Sequence, residues 1–248
     1  CAPAQKPLTD YVNPMLGTAT LWDSVDLGFK PTKRTWGAEV FPGSSLPNAM
    51  VQVSPVTKFH SGAGYQYEDS VIYGFTHTNK GHWNLCHIPL LPVTGTPTPG
   101  DYCSPFSHER ESAAPGYYQV FLDRYGVDAQ LSSTLRCAFH KYTYPAGAAA
   151  SLLADLQRSN EHVRAWDIRK EGDNVFAGWQ QTGEKMYFYA VANRPVTGIE
   201  PVVEGDREVR IVRFGEGDGA LELRIGFSFV SEKNARENLE AEMLGKSF

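Results

Sequence analysis

No apolar stretch in the 248-residue chain reaches the roughly 18 residues that a membrane-spanning helix needs. No basic block exists either. The formal net charge is -5 and the isoelectric point is near 5.8, whereas binding phosphates takes clustered Lys and Arg. Nucleic acid and anionic membrane surfaces are therefore disfavoured as partners. Gly-x-Ser-x-Gly is absent, which removes the nucleophile elbow. There is no internal repeat and no low-complexity tract. Cysteine is scarce: Cys1, Cys86, Cys103 and Cys137. The three internal ones allow at most one bridge among themselves, and sequence does not pair them. What the chain does have is 42% hydrophobic and 12% aromatic residues, enough for a sizeable core in one large all-β domain.

Three zones follow one another: up to about residue 60, from about 65 to 230, and from about 231 onward. Residues 1–7 read as a flexible tether, and the chain begins at Cys1. Lipoprotein signal cleavage leaves such a start, so the expectation is an exported, periplasmic or cell-surface lipoprotein of a Gram-negative bacterium. Its membrane contact would be only through a lipid on Cys1. A sequence boundary that happens to fall at a cysteine is the alternative.

Up to about residue 60, Gly and Pro predict loop with short strands. From about 65 to 230, period-two alternation predicts strands. In ALELRIGFSFV, Leu221, Leu223, Ile225, Phe227 and Phe229 share one face, with Glu222, Arg224 and Ser228 on the other, in water. QLSSTLRCAFHKY reads as one weaker strand with Leu131, Leu135, Cys137 and Phe139 on its apolar face. EVRIVRF, EKMYFYAVAN and GYYQVFLDRY are strand-like, and 148–157 leans to strand because its neighbours do. Turn signals at Pro115-Gly116, Pro145-Ala146-Gly147, Asp173-Asn174, Gly205-Asp206 and Asp218-Gly219 separate them. Short strands with regular turns predict an antiparallel sandwich. Trp166 and Trp179 are assigned to its core. From residue 231 the chain reads as an amphipathic helix, capped by Ser231 and ended near Gly245, with Ala235, Leu239 and Met243 as an apolar stripe in need of a partner.

The stretch GFTHTNKGHWNLCHIPLLP, residues 74–92, carries the chemistry. His77, His82 and His87 lie five apart, which does not suit the tighter spacing of structural zinc sites. Cys86 beside His87 is no triad, since neighbours on an extended chain point opposite ways, and a buried structural Cys is the better reading. Glycosidases use two carboxylates across the scissile bond, but Asp23, Asp26, Glu39, Glu68 and Asp69 form no distinctive pair. Sugar binding fits better. Pyranose C–H faces stack on Trp, and hydroxyls seek Asn, His and Lys. Trp36, His77, Lys80, His82, Trp83 and Asn84 supply that mix on two Gly-containing loops.

Several motifs then carry a resemblance: Tyr11-Val12-Asn13-Pro14-Met15-Leu16-Gly17-Thr18, Phe41-Pro42-Gly43-Ser44, Met50-Val51-Gln52-Val53-Ser54-Pro55, Gly64-Tyr65-Gln66-Tyr67, Ile72-Tyr73-Gly74-Phe75-Thr76-His77-Thr78, Phe106-Ser107-His108-Glu109, Pro115-Gly116-Tyr117-Tyr118-Gln119-Val120 and Ser231-Glu232-Lys233-Asn234-Ala235-Arg236-Glu237-Asn238-Leu239. In order and spacing, from about residue 8 onward, this resembles the N-terminal domain of glycoside hydrolase family 92, the exo-acting α-mannosidases. The resemblance implies a large antiparallel β-sandwich (supersandwich) over 8–230, with 231–248 starting a helical linker to an (α/α)6 catalytic barrel. It implies an inverting, calcium-dependent enzyme whose acid, base and most calcium ligands lie on the barrel. The N-terminal domain would lend loops to the terminal-mannose pocket. No catalytic or metal residue is then expected in this chain, and alone it is expected to be inactive. Asn79-Lys80-Gly81-His82-Trp83-Asn84 stands where the commoner family version runs Ser-Gly-Thr-Gly with acidic residues. The alternatives are a stand-alone lectin-like module and a sandwich without ligand.

Overall fold

The computed structural model describes residues 6–30, 35–36, 39–80 and 83–248. Among these, two large sheets, antiparallel throughout, face each other. The eight-stranded sheet runs, in spatial order, Glu111–Ala114, Tyr117–Leu122, Val127–Ser133, Cys137–Thr143, Leu221–Ser228, Lys185–Ala192, Val175–Gln181 and Ala165–Gly172. The seven-stranded sheet runs Val196–Glu204, Arg207–Phe214, Ser151–Ala154, Leu90–Val93, Gly74–Thr76, Gln52–Val56 and Ser44–Ser45. Strict in-out alternation in Tyr117–Leu122, Val127–Ser133 and Lys185–Ala192 sends one face of each strand inward. Tyr118, Val120, Leu131, Phe188, Leu223 and Ile225 meet Val53, Phe75, Leu91, Leu153 and Ile211 in one continuous core. The expected sandwich is the architecture found, and 148–157 contains a strand.

The stretch 130–142 is two strands. Val127–Ser133 and Cys137–Thr143 pair as a hairpin, with Leu135 half-exposed in the turn. The turn reverses the chain, so the apolar set also divides. Leu131 enters the core, whereas Cys137 and Phe139 face outward, under the C-terminal helix. Trp166 and Trp179 are only half-buried, Trp166 packing at the core margin and Trp179 lying beneath the Lys185 ammonium at 3.8 Å.

The C-terminal helix, Glu232–Glu242, does have a partner. Ala235, Leu239 and Met243 are buried against Cys137 and Phe139 on the outer face of the eight-stranded sheet. Ser231 Oγ caps it by accepting from Asn234 N–H at 3.1 Å. Glu242 fastens the far end, accepting from the Thr134 hydroxyl and from Arg136 N–H. This cover explains why alternation stops midway along Leu221–Ser228: beneath the helix, Gly226 and Ser228 are buried as well. Gly226 is the contact point. A Cβ there would lie 2.1 Å from the Ala235 carbonyl oxygen and 2.7 Å from Leu239 Cβ.

A polar line crosses between the sheets. His77 follows the strand Gly74–Thr76 of one sheet, and His140 lies on Cys137–Thr143 of the other. His77 Nδ1 faces the His87 carbonyl oxygen (3.4 Å), which can only accept, so this nitrogen carries the proton. His77 Nε2 then accepts from His140 Nε2–H (3.1 Å), and His140 Nδ1 accepts from the Tyr142 hydroxyl (2.6 Å). Each ring is fully buried and neutral. Burial lowers His77 from 6.5 to about 3 and lowers His140 well below its ordinary value.

Two outcomes follow from these packings. Gly226→Ala should push the helix off the sheet and cost roughly 1–3 kcal/mol, read by urea denaturation; an unchanged midpoint would show that the helix is not seated there. Below pH 6.5 the unfolded chain takes up protons that buried His77 refuses until about pH 3. Stability should therefore be lost as pH falls through that window. In His140→Gln, which keeps an acceptor and a donor, the acid limb of melting temperature against pH should be shallower. Identical limbs for the two proteins would refute the assignment.

Candidate functional site

At one end of the sandwich three segments meet. The first is the hairpin of Asn79–Lys80 with Trp83–Asn84, in which Lys80 pairs with Trp83. It replaces a plain loop between strands Gly74–Thr76 and Leu90–Val93. The second is the 60–66 loop, shaped by positive φ at His60, Gly62 and Gly64. Gly64 is required twice over: its φ is +78°, and a Cβ would fall 2.7 Å from Asn84 Nδ2. The Asn84 N–H donates to the Gly62 carbonyl at 2.9 Å, joining loop to hairpin. The third segment is 17–20. Tyr67 N–H donates to the Thr18 carbonyl (3.2 Å), and Glu68 accepts from Thr20 N–H (2.6 Å) and the Thr20 hydroxyl (3.1 Å).

The proposed sugar-binding residues divide by depth. Lys80 is exposed and Trp83 half-buried on the hairpin, as a platform requires. His77 and Asn84 instead lie wholly inside. Asn84 Oδ1 accepts from Cys86 N–H (2.7 Å), and its amide donates to the Ala63 carbonyl (3.3 Å) and the Thr76 hydroxyl (3.3 Å). His77 is committed to His140 and the His87 carbonyl. Neither presents an atom to solvent in this chain; they brace the hairpin from below. The Trp36 backbone pairs with Thr20, which brings it to this end, but its side chain lies outside the described residues, as does His82.

A narrow pocket sits among Gly17, Thr18, Thr20, Glu39, Ser61, Tyr65 and Gln66. Its free volume is about 10 Å³, room for one water and not for a sugar ring. Gln66 lines it with a buried amide oxygen that has no hydrogen-bond partner among the described residues. The carboxylates at this end are engaged: Glu68 holds Thr20, and Asp69 accepts from the Thr57 hydroxyl at 2.8 Å. Cys86 is a free, buried thiol among Val56 and Phe59, and burial raises it far above the ordinary thiol range. A buried thiol of this kind is unreactive. Cys103 and Cys137 are also free. Among the described residues no three His, Cys, Asp or Glu side chains converge as metal ligands.

Sequence reasoning missed the residues that hold these loops. Thr78, Ser159, Asn160, Glu161 and Thr182 all bond to the hairpin, its neck or each other. Only SNE at 159–161, a short polar run, could have hinted at it.

The model of the glycosyl hydrolase family 92 N-terminal domain matches residues 11–236. No curated protein matches. Among solved structures, the family GH92 alpha-mannosidase BT3965 from Bacteroides thetaiotaomicron superposes with a TM-score of 0.83 at 26% identity, covering 98% of this chain and 36% of that one. The same enzyme in complex with mannoimidazole gives 0.82 at 25%, covering 98% and 35%. The family GH92 inverting mannosidase BT2199 from Bacteroides thetaiotaomicron VPI-5482 shares the fold, with a TM-score of 0.78 at 22% identity and coverage of 98% and 35%. The chain thus spans about a third of the length of these enzymes. With the match running through both sheets and into the C-terminal helix, the chain belongs to glycosyl hydrolase family 92 as its N-terminal domain.

Proposed function

We propose that this domain is the non-catalytic half of an exo-acting, inverting α-mannosidase that degrades glycans. It packs on an (α/α)6 catalytic barrel of the same polypeptide and walls the terminal-mannose pocket with the hairpin 79–84 and the loop 60–66. The observation that carries this is the convergence of an exposed Lys80 and a half-buried Trp83 with a second loop and the segment 17–20 at one end of a GH92 N-terminal domain. Trp83 offers an apolar face to a pyranose ring, Lys80 donates to a hydroxyl, and the rigid neck beneath holds both. The narrow pocket alone cannot hold a sugar, so the site needs a facing wall. The segment 8–29 suits a covered surface: Leu8, Tyr11, Leu16, Trp22, Val25 and Phe29 are each more than half exposed.

An inverting hydrolysis needs a general acid and a general base about 6.5–9.5 Å apart. Glu68 and Asp69 are bound to neighbouring hydroxyls, and both catalytic groups are assigned to the barrel, as the family resemblance implies. The calcium that the family resemblance implies is assigned to the barrel, and no part of this domain's role runs through it.

In the full-length enzyme, Trp83→Ala should raise KM for a mannoside about tenfold, equivalent to about 1.4 kcal/mol, with a smaller change in kcat. The isolated domain should release no mannose. An unchanged KM would remove Trp83 from the pocket, and micromolar mannose binding by the isolated domain would favour a lectin-like module instead.

A further inference from the structure

Asn160 joins the two loops at the candidate site. Its side-chain oxygen accepts from His60 N–H at 2.7 Å, on the 60–66 loop. Its amide donates to the Asn84 carbonyl at 2.6 Å, on the hairpin. Its own backbone N–H donates to the Leu85 carbonyl at 3.1 Å, which also accepts from the Ser159 hydroxyl at 2.7 Å. The residue is nearly buried, and its bond to the Asn84 carbonyl is shielded from competing water. The His60 φ of +60° is a backbone state that non-glycine residues rarely adopt, and this contact holds it.

Glu161 extends the tie to the hairpin neck. Its carboxylate accepts from the Thr182 hydroxyl at 2.6 Å. With its proton so committed, Thr182 Oγ1 accepts from His87 Nε2–H at 3.1 Å, and His87 Nδ1 accepts from the Thr78 hydroxyl at 2.9 Å. Thr78 precedes the hairpin and His87 follows it, so this line staples its two legs together. The flanking backbone needs such support. Cys86 and Ile88 have φ of +54° and +53°, and a β-branched residue in that region is costly. Cys86 N–H is held by Asn84 Oδ1 (2.7 Å) and Ile88 N–H by Gln180 Oε1 (2.8 Å).

We propose that Asn160 directly, and Glu161 through Thr182 and His87, are positioning residues that hold the hairpin 79–84 and the loop 60–66 at a fixed separation. This sets the width of the sugar pocket, and so rests on the reading of those loops as its walls. Backbone strain at His60, Cys86 and Ile88 is tolerated because these bonds over-determine the geometry.

The test uses the full-length enzyme and two readouts. One is KM against kcat for a mannoside; the other is the rate of tryptic cleavage after Lys80, which reports opening of the hairpin without any substrate. Thr182→Val keeps the shape and deletes the hydroxyl, while Thr182→Ser restores it. Thr182→Val and Asn160→Ala should speed cleavage about tenfold and raise KM about fivefold with kcat nearly unchanged. Thr182→Ser should behave as the parent does. Unchanged cleavage in Thr182→Val overturns the proposal whatever KM does. Faster cleavage with unchanged KM upholds the tie and overturns instead the hairpin's place in the pocket.

Discussion

Packing two antiparallel sheets face to face carries polar groups inward along with apolar ones, and each one left unpaired there costs free energy. This constraint shapes the molecule. The His77–His140–Tyr142 line satisfies it across the core, each ring neutral and each nitrogen used once. Asn84 and Asn160 satisfy it at the end of the sandwich, where strands give way to loops and backbone groups lose their ladder partners.

The same constraint makes one end of a rigid scaffold suitable for function. A hairpin that carries Lys80 and Trp83 outward is anchored inward by His77, Asn84 and His87. At this end Asn84, His87 and Asn160 are spent on fixing the backbone. That division agrees with a domain that shapes half of a pocket while another domain supplies the chemistry. Its outer surfaces differ accordingly. The eight-stranded sheet is closed by the C-terminal helix seated on Gly226, whereas the 8–29 segment stays apolar and open.

Where periodicity was strong, sequence and structure agree. Strand 221–228, the hairpins around Pro115-Gly116 and Gly205-Asp206, and the Ser231 cap are all found. Disagreements share one cause, which is partner identity. The 130–142 stretch looked like one strand because its turn, Thr134–Arg136, lacks Gly and Pro and because apolar residues face opposite layers on either side of it. Alternation puts Ser228 in water, and nothing local shows that it is buried. The helix stripe shows no partner in the local sequence because its partners, Cys137 and Phe139, lie about a hundred residues earlier. His77 and Asn84 looked like ligand contacts because residue type does not reveal depth.

Local alternation, turn residues and caps act over a few residues, so the sequence by itself determined the strands, most turns, the sandwich class and, through its linked motifs, the family. Burial, hydrogen-bond partners and strained φ angles depend on segments brought together over sequence separations of up to about a hundred residues. The tertiary structure alone therefore decided which side chains of residues 74–92 point outward, what covers the C-terminal helix, and that Asn160 and Glu161 hold the two loops together.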